Sequence, residues 1–224
     1  MSIAENLQNI KSTLPDHVTL VAVSKTKPIS DIMEAYHVGH RVFGENKIQE
    51  MVEKHEQMPK DIQWHMIGHV QRNKVKYMAS FVSLIHGVDN LKLLKEINKQ
   101  AQKHDRVIDC LLQIKIAEED SKFGMSPKDA SALIQSEVFS ALKNIKIVGL
   151  MGMATFTEDM NQVKQEFILL KNTFDTMKAL QTANCELQTI SMGMSGDYPL
   201  AIDCGSTMVR VGSRIFGERS YSWQ

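Results

Sequence analysis

The sequence predicts one α/β domain over residues 1–224, a (β/α)8 or TIM barrel with an extra helix before its first strand. Short apolar runs suited to strands alternate with amphipathic segments suited to helices eight times along the chain. No proline- or serine-rich linker and no shift in composition divides it. Such alternation favours a closed parallel barrel. The alternative is an open doubly wound sheet, because short strands are hard to count from one sequence.

The predicted strands share short runs of apolar and β-branched residues, the pattern of strands that are buried on both faces in parallel sheets. The clearest run extends from Val18 to Val23 and ends at Ser24 and Lys25. The eight strands are expected at 18–23, 41–44, 62–67, 82–88, 107–116, 145–150, 187–191 and 208–211.

The predicted helices follow from apolar spacing and from residues that begin or end helices. Ile3, Leu7, Ile10 and Leu14 fall on one face of an N-terminal helix that Pro15 ends. Other start signals are a proline at the first helical position and a capping serine, aspartate or asparagine. The remaining helices are expected at about 29–36, 45–52, 75–78, 91–97, from 127 onward, 159–180, after 197, and at 213–216.

Composition and charge exclude several classes of function. Lys and Arg number 26 against 26 Asp and Glu, so the formal net charge is zero and no nucleic-acid or anionic-membrane partner is indicated. Cys110, Cys185 and Cys204 are widely spaced and form no C-x-x-C pair, which argues against a disulfide framework or a zinc site. With no signal peptide and no membrane span recognisable, we expect a cytoplasmic protein.

Lys25 is the first candidate for chemistry, because it follows the first predicted strand directly. The carboxyl ends of parallel strands are where α/β folds bind ligands. A lysine that is desolvated there has a lowered pKa, and its neutral amine can attack a carbonyl. The alternative is an ordinary exposed lysine in a strand-to-helix loop.

Two loops have the composition of a phosphate site. The segment 191–197 follows the seventh strand and contains Ser195, and Gly212 and Ser213 follow the eighth strand. Glycines let backbone N–H groups approach an anion, and serine hydroxyls add donors. Barrel enzymes commonly bind phosphate after strands seven and eight. Small residues also make tight turns, so each loop alone is weak evidence.

Lys25 and this phosphate site would share one rim, since strands one and eight are neighbours in a closed barrel. A ligand with both a carbonyl and a phosphate would suit them, and pyridoxal 5′-phosphate (PLP) and sugar phosphates are such ligands. Nucleotide-binding motifs and a G-x-S-x-G elbow are not recognisable in the sequence. His65 and His69 are four residues apart but lack a nearby glutamate, so a zinc role is not favoured.

Six segments resemble the pyridoxal-phosphate homeostasis protein family, the small single-domain relatives of the alanine racemase N-terminal-domain barrel. They occur in the family's order and span nearly the whole chain, and the last two are the most specific. The segments are AVSKT (22–26), FGEN (43–46), WHMIGHVQRNK (64–74), GLMGM (149–153), SMGMSGD (191–197) and GSTMVRVGSRIFG (205–217).

The resemblance implies PLP as the cofactor, held as an internal aldimine on Lys25. It implies further that Arg210 contacts the pyridine nitrogen and that Asn46 lies beside the ring. The phosphate would be bound by Ser195, Gly212 and Ser213. Three residues of the third matching segment are expected at the rim without an assigned role: His65, Met66 and Gly68.

Three functions then compete: a PLP-binding protein of intracellular PLP homeostasis without efficient turnover, an amino-acid racemase, and a lysine Schiff-base aldolase. An arginine at the pyridine nitrogen keeps that nitrogen unprotonated, which makes the ring a weaker electron sink. The larger racemases add a second base, a tyrosine from a β-domain, which we expect to be missing because the chain ends at Gln224 soon after the eighth strand. The first function is therefore favoured, for a non-enzymatic monomer whose PLP could pass to PLP-dependent apoenzymes.

Overall fold

Eight parallel strands pair in chain order and close on themselves in the computed structural model, which describes residues 1–119, 123–180 and 182–218. The barrel closes where β1 pairs with β8, with Val21 opposite Arg210. The predicted (β/α)8 barrel is thereby confirmed, and the open sheet is wrong. The strands are β1 (Thr19–Val23), β2 (Val42–Glu45), β3 (Gln63–Met66), β4 (Leu84–Val88), β5 (Ile108–Gln113), β6 (Ile145–Met151), β7 (Cys185–Met194) and β8 (Met208–Val211).

Helices follow the strands and cover the barrel, and the predicted extra helix precedes β1. That helix begins with a capping box, in which the side chains of Ser2 and Glu5 each accept the backbone N–H of the other residue. Asn6 Nδ2 donates to the carbonyl of Ile215 at 3.1 Å and so joins this helix to the end of the barrel chain. The helices are α1 (Ile3–Thr13), α2 (Ile29–His37), α3 (Ile48–Gln57), α4 (Val75–Met78), α5 (Leu91–Gln102), α6 (Pro127–Ile134), α7 (Glu137–Ser140), α8 (Met160–Lys178), α9 (Tyr198–Asp203) and α10 (Ser213–Phe216).

Several boundaries differ from the sequence prediction. Helix α3 begins at Ile48 rather than at Glu45, because Glu45 is the last residue of β2. Strand β7 extends to Met194, beyond the predicted end at Ser191, with a register shift against β8. Helix α7 was not predicted. The residues predicted to begin α6 are confirmed: the Ser126 side chain accepts the N–H of Asp129, and Pro127 lies in the first turn.

The apolar core has two layers. The larger lies between the sheet and the helices and includes Trp64, Phe43 and Phe167. The smaller fills the barrel interior and includes Val21 and Leu111, together with Leu84, Met151 and Met208. Strand residues alternate between these layers, as expected for a sheet that is covered on both faces.

Within the described ranges, none of the helices combines the length and the apolar character that crossing a membrane requires.

Candidate functional site

One cavity of about 640 Å³ opens where the strands end, and all six predicted site residues line it. They come from the ends of four strands: each lies on a strand or one or two residues after its end. The six residues are Lys25 after β1, Asn46 after β2, Ser195 after β7, Arg210 on β8, and Gly212 and Ser213 after β8. The structure thus brings the predicted residues together at the end of the barrel that carries ligand sites in this fold.

The predicted phosphate loops are fixed against each other. The backbone N–H of Gly212 donates to Ser195 Oγ at 3.2 Å, which joins the loop after β7 to the loop after β8. Asp197 Oδ1 accepts the N–H of Met194 at 2.6 Å and closes the turn that carries Ser195. Gly193 has a φ of +95°, and a Cβ there would lie 2.6 Å from the Ala201 side chain, so this close approach requires glycine.

Arg210 is buried in the barrel interior, only 4% exposed, and reaches the cavity from β8. Its Nη1 donates to Ser191 Oγ at 2.6 Å and its Nη2 donates to the Gly152 carbonyl at 3.1 Å. Burial lowers the pKa of Arg210 to about 10, and the nearby Asp197 carboxylate opposes that shift. The guanidinium therefore stays cationic at neutral pH.

A chain of buried polar groups continues from Arg210 across the barrel. Ser191 Oγ lies 3.1 Å from His86 Nδ1, and His86 Nε2 lies 3.0 Å from His65 Nδ1. Because a guanidinium can only donate, Ser191 accepts from Arg210, and the directions of the Ser191–His86 and His86–His65 bonds depend on the tautomers of the two histidines. Burial lowers the pKa of His65 to about 3 and that of His86 well below its usual range, so both rings are neutral at neutral pH.

The sequence does not indicate this chain of polar groups, and two residues of the third matching segment lie away from the rim where they were expected. His65 points into the barrel and Met66 packs in the layer between sheet and helices, whereas Gly68 does line the cavity. A Cβ on Gly68 would lie 2.3 Å from the Asn46 carbonyl oxygen, so this glycine lets Asn46 approach. Alternation along β3 could have indicated that His65 faces inward.

Apolar and aromatic side chains make up much of the remaining lining of the cavity, and the sequence did not indicate them. His69 stacks on Phe123 with ring centroids 4.2 Å apart, at one side of the opening. The carbonyl of Phe123 also accepts a hydrogen bond from Gln113 Nε2 at 3.0 Å. The other apolar lining residues are Val23, Ile67, Met153, Phe156 and Met194. A largely apolar lining with a few placed polar groups is typical of a small-molecule site.

The barrel and the residues at its strand ends define a class of protein domain, and similarity to known proteins identifies that class. The family model described as "Alanine racemase, N-terminal domain" matches residues 1–220. Within that class, the chain belongs to the pyridoxal phosphate homeostasis protein family. A relative with that name from Pasteurella multocida is 37% identical over 236 residues, covering 99% of this chain and all of the relative. One from Synechocystis is 40% identical over 213 residues, covering 94% of this chain and 95% of the relative.

Solved structures agree with this assignment. PipY of Synechococcus elongatus without PLP has a TM-score of 0.90 and 34% identity, covering 96% of this chain and 100% of that chain. The same protein with PLP bound has a TM-score of 0.87 at 33% identity over the same shares of the two chains. An alanine racemase from Clostridium difficile has a TM-score of 0.76 at 13% identity, covering 99% of this chain and 57% of that chain, which shows a shared barrel fold alone.

Proposed function

We propose that this chain binds PLP as an aldimine on Lys25 and serves intracellular PLP homeostasis without efficient amino-acid turnover. The observation that carries the proposal is that Lys25, the linked loops of Ser195 and Gly212, and the buried Arg210 all line one cavity. The family assignment and the PLP-bound relative support it.

The donor set fits the chemistry of PLP. The cofactor supplies an aldehyde, a phosphate and a pyridine nitrogen, and when bound it can act as an electron sink. Lys25 would supply the amine, and its condensation with the aldehyde forms one C=N bond and releases one water. Ser195 and Ser213 would supply hydroxyl and backbone donors to the phosphate, and Gly212 would contribute there by its N–H bond to Ser195 Oγ, which orients that hydroxyl. Arg210 would donate to the pyridine nitrogen.

Arg210 is the reason that binding is favoured over turnover. Its guanidinium is buried, cationic and held by Ser191 and Gly152, so it offers the pyridine nitrogen a hydrogen bond and retains its own proton. An unprotonated ring withdraws electrons weakly, which disfavours breaking bonds at the α-carbon of an amino acid. Among the described lining residues there is no tyrosine to act as the second base of a racemase.

The direct test is the absorbance spectrum of the purified protein loaded with PLP. A lysine-bound PLP absorbs visible light and a sugar Schiff base does not, so a yellow protein separates this proposal from the aldolase. Borohydride reduction followed by peptide mass mapping should place the label on Lys25. Lys25→Ala should abolish the colour, whereas Lys103→Ala, at an exposed position, should retain it. Full colour in Lys25→Ala would refute the proposed site.

The racemase alternative and the cellular role need separate assays. Substantial conversion of L-alanine or another amino acid by homogeneous, PLP-loaded protein would refute the proposal that this protein does not turn over amino acids efficiently. The proposal includes a cytoplasmic monomer that can pass PLP to PLP-dependent apoenzymes. Gel filtration tests the monomer, and reactivation of a cofactor-free PLP enzyme by the loaded protein tests the transfer.

A further inference from the structure

A buried ionic cluster lies beside the loop that carries Lys25, outside the set of described residues that line the cavity. It consists of Glu45 from the end of β2 and of Glu50 and Lys54, one turn apart on α3. The Glu45 side chain is fully buried, that of Lys54 is 7% exposed and that of Glu50 is 22% exposed. Such burial is unusual for an (i, i+4) pair, which normally lies on a solvated helix face.

The cluster binds the residue on each side of Lys25. On the preceding side, Lys54 Nζ donates to the Ser24 carbonyl at 2.8 Å. Ser24 Oγ also donates to Glu45 Oε1 at 2.6 Å. On the following side, Glu50 Oε1 accepts the backbone N–H of Thr26 at 2.5 Å. Lys54 joins the two sides, since its Nζ donates to Glu45 Oε1 at 2.8 Å and to Glu50 Oε1 at 2.7 Å.

The backbone conformation of Thr26 shows the structural effect of these hydrogen bonds. Its φ is +64°, in the left-handed region that a β-branched residue rarely adopts. A strained backbone of this kind persists only where its surroundings hold it, and it is found preferentially at functional sites. Here the holding group is the carboxylate of Glu50, and the strained residue directly follows Lys25.

The cluster is poorly suited to stability alone. Burial raises the pKa of Glu45, and Lys54 and Ser24 oppose that shift. Glu45 Oε2 is buried without a hydrogen-bond partner among the described residues. Apolar side chains of similar volume often stabilise a fold as well as buried ions do, so the advantage of ions here is the geometry that they impose on the loop.

We propose that Glu50 and Lys54 are positioning residues: they hold Thr26 in the left-handed conformation and thereby direct the Lys25 amine into the cavity. The inference rests on the proposed binding of PLP at Lys25. Neither residue contacts the cavity itself, so their effect on the cofactor passes through the backbone of residues 24–26.

The test is PLP titration, followed by the visible absorbance of the lysine-bound cofactor. Glu50→Ala should raise the Kd for PLP about tenfold, because the strained backbone loses its holding group. Adding Thr26→Gly to Glu50→Ala should recover at least half of that loss on a logarithmic scale, since glycine adopts positive φ without strain. Glu53→Ala, an exposed glutamate on the same helix, is the matched control and should bind as the wild type does.

A second variant covers the case in which Glu50→Ala does not fold. Thr26 is exposed, so Thr26→Pro leaves the core intact while fixing φ near −65° and removing the N–H that Glu50 accepts. It should weaken PLP binding at least as much as Glu50→Ala does. Wild-type affinity in Thr26→Pro would overturn the inference.

The remaining outcomes separate positioning from mere structural support. Reduced resistance to urea in Glu50→Ala with unchanged Kd and spectrum would mean that the cluster only stabilises the fold, and the inference would be wrong. It would be equally wrong if Thr26→Gly gave no recovery in the Glu50→Ala background. A wild-type protein without the Lys25-linked chromophore would instead overturn the proposed function, so the two failures are distinguishable.

Discussion

Acidification should destabilise this protein through the buried pair of His65 and His86. Both rings lie inside the barrel, hydrogen-bonded to each other, and His86 also bonds Ser191, the partner of the buried Arg210 cation. Burial lowers the pKa of His65 to about 3, and it lowers that of His86 as well. In the unfolded chain a histidine titrates near 6.5, so below that pH the unfolded state binds more protons than the folded state. The contribution of the two neutral histidines to the free energy of unfolding is therefore fully present above pH 6.5 and is lost as the pH falls toward 3.

The expected magnitude follows from linkage. One pH unit of differential proton binding corresponds to about 1.4 kcal/mol per group. Between pH 7 and pH 5, each buried neutral histidine should therefore cost about 2 kcal/mol of unfolding free energy, and the pair about 4 kcal/mol. Against a typical total of about 5–15 kcal/mol, the loss would be easily measured.

The assay is urea unfolding at pH 7 and pH 5 for the wild type and for His86→Gln. The loss of stability at pH 7 is not diagnostic, because the variant disturbs a buried chain. The change in unfolding free energy between pH 7 and pH 5 is diagnostic. It should be about 2 kcal/mol smaller in His86→Gln than in the wild type. Thr173→Val is the control: Thr173 is buried and hydrogen-bonded but does not titrate, so this variant should keep the wild-type difference. Equal differences in the wild type and in His86→Gln would refute the reasoning.

Two further predictions concern the cavity and the thiols. Gly68→Ala should destabilise the fold by about 1–3 kcal/mol in urea unfolding and weaken PLP binding, because the new methyl group would displace the backbone of Asn46. In urea unfolding Gly196→Ala should be tolerated, since a Cβ there meets nothing within 4 Å, and an equal loss of stability in the two variants would contradict this reasoning. In native protein, iodoacetamide should label Cys204, which is partly exposed, and spare Cys110, which is fully buried and whose thiol pKa is raised by burial. Labelling of Cys110 without unfolding, read by mass spectrometry, would show that the interior opens.

The sequence predicts the barrel well because each strand is a local apolar run and the order of a (β/α)8 barrel follows the chain. The predicted site residues also share a cavity for a local reason: each lies at or just after the end of a strand, and the fold gathers those ends. Strand β7 shows the limit of such signals. After Ser191 the strand contains Gly193 at a positive φ and runs directly into Ser195 and Gly196, so this segment was predicted as a loop although it remains strand to Met194.

Contacts between distant segments could not be predicted in this way. His65 and His86 are 21 residues apart, and His86 and Ser191 are 105 apart, so nothing local indicates that they bond. Lys54 misleads for a different reason: with Glu50 it has the spacing of an exposed helix pair, yet it is buried against β2. Only the packing of α3 on the sheet decides that this lysine faces inward.

The polar chain in the barrel bears directly on the choice between holding a cofactor and turning one over. Arg210 can only donate, and the two groups that it binds, the Ser191 hydroxyl and the Gly152 carbonyl, are too weak as bases to take the guanidinium proton. The chain ends in histidines that burial keeps neutral, and this avoids placing a second positive charge beside Arg210. A fixed cation at the ring-nitrogen position is what a binding site needs, whereas a strong electron sink needs a proton that can pass to the ring. Under the proposed function, the bonds that hold Arg210 in the barrel interior would therefore both retain PLP and limit its reactivity.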